Sequence, residues 1–167
     1  PSEKETRALA AQFPSGHLYE LLFHGRIHPQ PHLENLLLTP EGNLAIIGAS
    51  GSITLSNADR LLLHHLLSGL CRKNVETTAE ALMRIVRADS KRSVTEAFSA
   101  DLGNALGEIS LGKRLLNSAR IASLHRYPPP SFLCRVADLF QHLSSSCHIL
   151  CPALDAENFI ATYLNRH

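Results

Sequence analysis

The stretch His28-Pro-Gln-Pro-His-Leu-Glu-Asn-Leu-Leu-Leu-Thr-Pro-Glu-Gly-Asn-Leu-Ala-Ile-Ile-Gly-Ala-Ser-Gly51 decides how the rest of the chain is read. Pro29 and Pro31 forbid a helix across its start. Leu36 to Thr39 and Leu44 to Ile47 are short apolar runs. Between them Pro40 and Gly42 supply turn chemistry. The pattern predicts one β-hairpin behind a stiff loop carrying His28, His32, Glu34 and Asn35, and it predicts that this hairpin is the only sheet in the chain. Phosphoryl-transfer loops have this layout. They need a carboxylate to orient or deprotonate the acceptor, and an amide oxygen with a second carboxylate to hold the metal ions that bridge the phosphates.

Outward from the hairpin the chain reads helical. Ser2, Glu3 and Glu5 form a helix start for residues 2–12. Pro14, Ser15 and Gly16 predict a break, followed by a second short helix from His17 to His24 that ends at Gly25. Beyond Ser56, amphipathic stretches begin at Asn57, Val75, Ser93, Ser110 and Tyr127, and a last one follows Asp155, a natural N-cap. The prolines at 128–130 open their helix where missing N–H groups cost little. Leu61, Leu62, Leu66 and Leu67 make a wide stripe. Core packing accounts for it, but left uncovered the same stripe is a partner surface.

Size and composition agree with a mainly α fold. The chain has 167 residues, 44% hydrophobic and 19% charged, with few aromatics and no Trp. That is enough for one domain with a hydrophobic core, and its Leu- and Ala-rich composition favours helices. The net charge of +1 comes without a basic block, so nucleic acid is not an implied partner. No apolar run reaches the roughly 18 residues of a membrane span. No signal peptide is visible, and the start at Pro1 reads as a trimmed piece of a longer polypeptide. The four cysteines, Cys71, Cys134, Cys147 and Cys151, are irregularly spaced. They imply reduced thiols and a cytoplasmic location.

The loop and hairpin resemble the catalytic loop of the UbiB/AarF family of atypical, protein-kinase-like proteins. That family reads His-Ala-Asp-Pro-His-Pro-Gly-Asn, an apolar strand, a Thr-Pro-x-Gly turn, a second strand and Asp-Phe-Gly. His28, Pro31, His32 and Asn35 match the first motif in register, and Thr39 to Ala45 match the turn and second strand. The later stretches "YPPPSFLCRVADLF" and "LCPALDAENF" resemble its C-terminal Pro-Pro helix and Leu-Asp-Pro segment. The resemblance implies a protein-kinase-like large (C-terminal) lobe with one short hairpin, treated as a single domain over 1–167: helices in 1–25, the loop and hairpin in 26–51, and a helical bundle in 56–167.

The departures from the family are chemical. Its loop aspartate falls on Gln30, and its metal-binding Asp-Phe-Gly aspartate falls on Gly48. Its small glycine before the asparagine falls on Glu34. The N-terminal lobe with its Lys-x-Gly-Gln signature is absent from the chain. A glutamine cannot take a proton near neutral pH, and general-base help is worth roughly 10²–10⁴ in rate. Magnesium relies on one or two protein carboxylates beside phosphate oxygens. The resemblance with these losses implies a catalytically inactive, pseudokinase-like domain with no catalytic residue and no cofactor, acting by binding another protein or the missing N-terminal lobe. Asn35 and Glu34 remain as a nucleotide- or metal-binding remnant, though a solvated glutamate is the simpler reading of Glu34. His28 and His32 are read as loop-bracing histidines that hydrogen-bond backbone groups, with no metal assigned. The competing reading is a nucleotide-binding or ATP-using half of an atypical kinase, with ATP and Mg as cofactors, completed by a missing N-lobe and linked to quinone-lipid metabolism. Peripheral membrane association is compatible with either.

Three further features have bland readings. Cys134 and Cys147 read as buried thiols acting as small hydrophobes. Of His64 and His65, one faces the core edge and the other solvent. "GASGS", Gly48 to Ser52, is either a phosphate-binding nest or a simple turn.

Overall fold

The computed structural model describes residues 3–28, 31–47, 51–87, 94–108 and 110–167. Among them the chain is mainly helical, with seven α-helices and two short antiparallel ladders. It divides into two compact units, Pro1–Leu55 with Asp138–His167, and Ser56–Ala137.

The first unit starts with α1, Glu3–His24, which runs without a break through Pro14. This corrects the two-helix expectation. Residues 10, 13, 14, 17, 18, 21 and 22 are all buried, in steps of three and four along one face. Burying that continuous stripe outweighs the single N–H that Pro14 removes and the clash it introduces, roughly 3 kcal/mol. Ser15 Oγ also donates to the Ala11 carbonyl at 2.7 Å. The helix does end at Gly25, whose φ of 65° suits glycine and whose N–H bonds the Leu21 carbonyl at 3.1 Å. The unit's other helical parts are α7, Ala156–Arg166, and the stretch from Asp138 onward of α6, Phe132–Leu150. Asp155 caps α7 by accepting the Asn158 N–H at 3.0 Å.

The second unit consists of α2 (Asn57–Cys71), α3 (Val75–Ile85), α4 (Glu96–Ala105), α5 (Leu111–Leu124) and the start of α6. Each of α2 to α5 is opened by a side chain that accepts a backbone N–H three residues on: Ser56, Asn74, Thr95 and Ser110. The core gathers Leu66, Leu67, Leu82, Phe98, Leu102 and Leu115, all fully buried. Arg114, also buried, donates to the Leu70 carbonyl at the C-terminal end of α2, where a cation is favoured.

Leu66 and Leu67 are fully buried, so most of the leucine stripe of α2 is core. Only Leu61, 62% exposed, stands out of it, so core packing accounts for Leu66 and Leu67 and these two are not left uncovered for a partner.

Candidate functional site

The loop–hairpin segment is closed at its base by a second ladder. Strand β1, Arg26–Ile27, pairs antiparallel with β4, Ile53–Thr54, in the register Arg26↔Thr54 and Ile27↔Ile53. The Leu55 N–H bonds the Gly25 carbonyl at 2.9 Å just beyond. The hairpin is therefore not the only sheet. Two strands of two residues are too short to show a period-2 pattern, and only the fold brings them together.

Within that base lies the predicted hairpin, β2 (Leu36–Leu38) with β3 (Leu44–Ile46). Its register is Leu36↔Ile46, Leu37↔Ala45 and Leu38↔Leu44. Gly42, at φ 81°, makes the turn, and the Thr39 N–H and Asn43 carbonyl close it at 2.8 Å. The ribbon is tied to α1 by Gln12, whose Oε1 accepts the Leu44 N–H at 3.1 Å.

The loop before the hairpin rests on α6. Ser146 Oγ donates to the Pro31 carbonyl at 3.3 Å, and the His32 ring meets His142 edge-on with centroids 5.0 Å apart. Leu33–Asn35 form a single 3-10 turn, with the Asn35 N–H on the His32 carbonyl at 3.0 Å. The Ile47 N–H then bonds the Asn35 carbonyl at 2.8 Å. The ribbon thus holds Asn35 beside Ile47, the residue before Gly48 in the chain. Asn35 is half-buried and Glu34 is exposed. Gln30 and Gly48, the two positions where the family's aspartates fall, lie outside the described residues.

His28 bonds a side chain rather than the backbone. Its Nδ1 shares a hydrogen bond with Ser52 Oγ at 3.1 Å, linking the two ends of the segment. Its ring also meets His17 of α1 at 5.2 Å. His17 received no role from the sequence. Its only signal is that position 17 falls in the buried stripe of α1, which is visible once the helix is continuous through Pro14.

The charge in this segment decides what it can do. From His28 to Thr54 the only carboxylates are Glu34 and Glu41. Glu41 sits in the hairpin turn, where the Thr39 hydroxyl holds its carboxyl below the usual range. That turn is three ladder pairs from Asn35, roughly 10 Å at a strand's rise per residue. Among the described residues, no group of three His, Cys, Asp or Glu side chains could hold a metal ion.

Elsewhere, His64 is half-buried and His65 exposed, as read from the sequence. Burial, then Arg60 and His65, lower the His64 pKa. All four cysteines are free thiols. Cys147 is buried and its thiol is pushed up to about 11 by burial and then by Cys151, which makes it a poor nucleophile. Cys134 is exposed, correcting the buried reading: it falls on the outward face of α6, next to the buried Leu133. No helix among the described residues is long and apolar enough to cross a membrane.

A scan against protein-family models finds no match for this chain, and a search of curated proteins finds none either.

Proposed function

We propose that this chain is a catalytically inactive, pseudokinase-like domain of the UbiB/AarF type, with a kinase-like large-lobe arrangement, and that it acts by binding a protein partner. The observation that carries the reading is the pairing of the Asn35 carbonyl with the Ile47 N–H at 2.8 Å in a segment whose only carboxylates are Glu34 and Glu41. The ribbon keeps the spacing that a phosphoryl-transfer loop uses, without the two negative charges that such a loop needs. A binding role draws support from the hairpin surface. Leu37 and Ile47, 53% and 44% exposed, lie on one face of the short ribbon and Leu38, 62% exposed, on the other, so apolar side chains reach solvent on both faces. Its occupant in this reading is another protein or an N-terminal lobe, and cytoplasmic location goes with it.

The second reading, a nucleotide-binding half of an atypical kinase linked to quinone-lipid metabolism, rests on the retained Asn35. Thermal unfolding with and without ATP and magnesium separates the two. A ligand at 100 times its dissociation constant stabilises by about 2.7 kcal/mol, which for a chain of this size is several degrees in Tm. The expected result is no shift and no ATP turnover, in the native chain and in Asn35→Ala alike. A saturable shift that Asn35→Ala removes would replace the inactive reading with the second.

A further inference from the structure

We propose that His17 is a proton-operated latch on the loop–hairpin segment: uncharged, it lets β1 and β4 close over α1, and charged, it releases them. This goes beyond the binding role and does not depend on whether the loop takes a nucleotide.

The latch stands on the surroundings of one side chain. His17 is 1% exposed, and neither Nδ1 nor Nε2 has a hydrogen-bond partner among the described residues. Its ring lies edge-on to Phe13 at 4.9 Å and 87°, and to His28 at 5.2 Å and 76°. His28 in turn is bonded to Ser52 at 3.1 Å, next to the Ile27↔Ile53 pair. His28, joined to Ser52, thus packs against an imidazole that is buried and unsatisfied among the described residues. A neutral ring tolerates that site. An imidazolium needs an acceptor or an anion, and the ring contacts here are a phenyl group and a second imidazole.

The charged groups nearby do not supply one. On α1, Glu20 is already paired with Arg26 of β1 at 3.0 Å. Their effects on His28 oppose each other, Glu20 raising its pKa and Arg26 lowering it. Strand β3, Leu44–Ile46, carries no titratable side chain. Tyr163 and His167 of α7 lie against Tyr19 and Phe23. Those residues face away from the buried stripe, roughly 200° and 240° around α1 from His17 at 100° per residue. His142 of α6 is taken up by His32.

Burial, and then His28, lower the His17 pKa from 6.5 to about 4. The sign follows from which form takes the proton. Between these two pH values an opened segment binds a proton at His17 that the closed one does not. The closed form is therefore at full strength above pH 6.5, loses ground as pH falls from 6.5 to 4, and gains no further penalty from His17 below that. A gap of that size shifts the open–closed equilibrium by up to about 10²–10³-fold. The first part to yield is the two-stranded ribbon, because such ribbons are marginal by themselves.

The chain contains no Trp, so Leu38→Trp on the exposed side of β2 is a local reporter. The expected result is a fluorescence change centred between pH 6.5 and 4 with helical ellipticity at 222 nm unchanged. His17→Phe and His17→Leu in the same background should flatten the fluorescence profile. An unaltered profile in either variant overturns the latch, as does loss of fluorescence and ellipticity at one common midpoint. Should neither variant fold, the ring-proton shift of His17 in the unsubstituted chain decides. Titration coincident with the reporter supports the latch, and ordinary titration near pH 6.5 in the closed form sinks it.

Discussion

Phe98→Ala is expected to destabilise the chain by about 3–5 kcal/mol, the range for emptying a large buried aromatic site. Phe98 is fully buried in the unit formed by Ser56–Ala137. Its ring sits edge-on to His125 at 5.2 Å and 72°, and to Tyr127 at 5.6 Å and 67°. Both neighbours are restrained. His125 Nε2 is 2.8 Å from Asp101 Oδ2, and the Tyr127 N–H is bonded to the Ala122 carbonyl at 2.8 Å. The site therefore has little freedom to collapse, which puts the cost toward the upper end. Phe98→Leu keeps most of the volume and should cost less than about 1.5 kcal/mol if volume alone matters. A larger loss assigns the difference to the two ring contacts, each worth about 0.5–1.5 kcal/mol. Urea unfolding measures both variants, with the midpoint falling and the slope unchanged. Total stabilities of about 5–15 kcal/mol are ordinary, so Phe98→Ala uses up much of the margin. A cost under 1 kcal/mol would mean that this core repacks freely.

Gly69→Ala should also destabilise, although helix propensity alone argues the opposite way by about 1 kcal/mol. Gly69 lies in the last turns of α2, against the first turn of α3. A Cβ there would stand 2.8 Å from Thr78 Oγ1, 3.0 Å from the Thr78 backbone nitrogen and 3.2 Å from Thr77 Cγ2. None of these atoms is the loose end of a flexible side chain. Thr78 Oγ1 donates to the Asn74 carbonyl at 2.7 Å, and the Thr78 N–H bonds the same oxygen at 3.1 Å. The Asn74 N–H returns to the Gly69 carbonyl at 2.9 Å. Relief requires moving α3 away from α2. Overpacking of this kind costs about 1–3 kcal/mol and more where backbone must shift, so the clash outweighs the propensity gain. Thr78→Ala in the same chain should recover only part of the loss, because the backbone nitrogen remains. A Gly69→Ala variant more stable than the parent would show that the two helices separate without cost.

Much of the local structure was legible. "SNADRLLLHHLLSGLC" contains both the cap and the limits of α2, since Ser56 accepts the Asp59 N–H and the helix runs Asn57–Cys71. Asp155 announces α7 for the same reason. The hairpin was readable from two apolar runs flanking Pro40 and Gly42. Other readings failed, and each failed where a distant neighbour outweighs a local rule. Pro14 reads as a breaker, yet the face from Ala10 to Leu22 is buried as one stripe. Arg26–Ile27 carries no strand signal until Ile53–Thr54 is laid beside it. Cys134 shares an apolar stretch with Cys147 but points to the other side of α6.

For the candidate site the division is similar. In the proposed kinase-like reading Gln30 and Gly48 fall where two aspartates would be required, and that is a matter of residue identity, complete before any folding. Asn35, Glu34, His28 and His32 were placed on one loop by the spacing of prolines and apolar runs. The role of His17 was not, because nothing within a few residues of it is unusual.

Local chemistry thus determined the helix caps, the hairpin turn and the absence of paired carboxylates, since each depends on side chains within a few positions of one another. Tertiary structure decided the continuity of α1, the ladder that closes residues 28–52 into one segment, and the burial of an unsatisfied imidazole against its base. Those three depend on the free energy of removing apolar surface from water, which is settled by whatever the far ends of the chain bring to the same place.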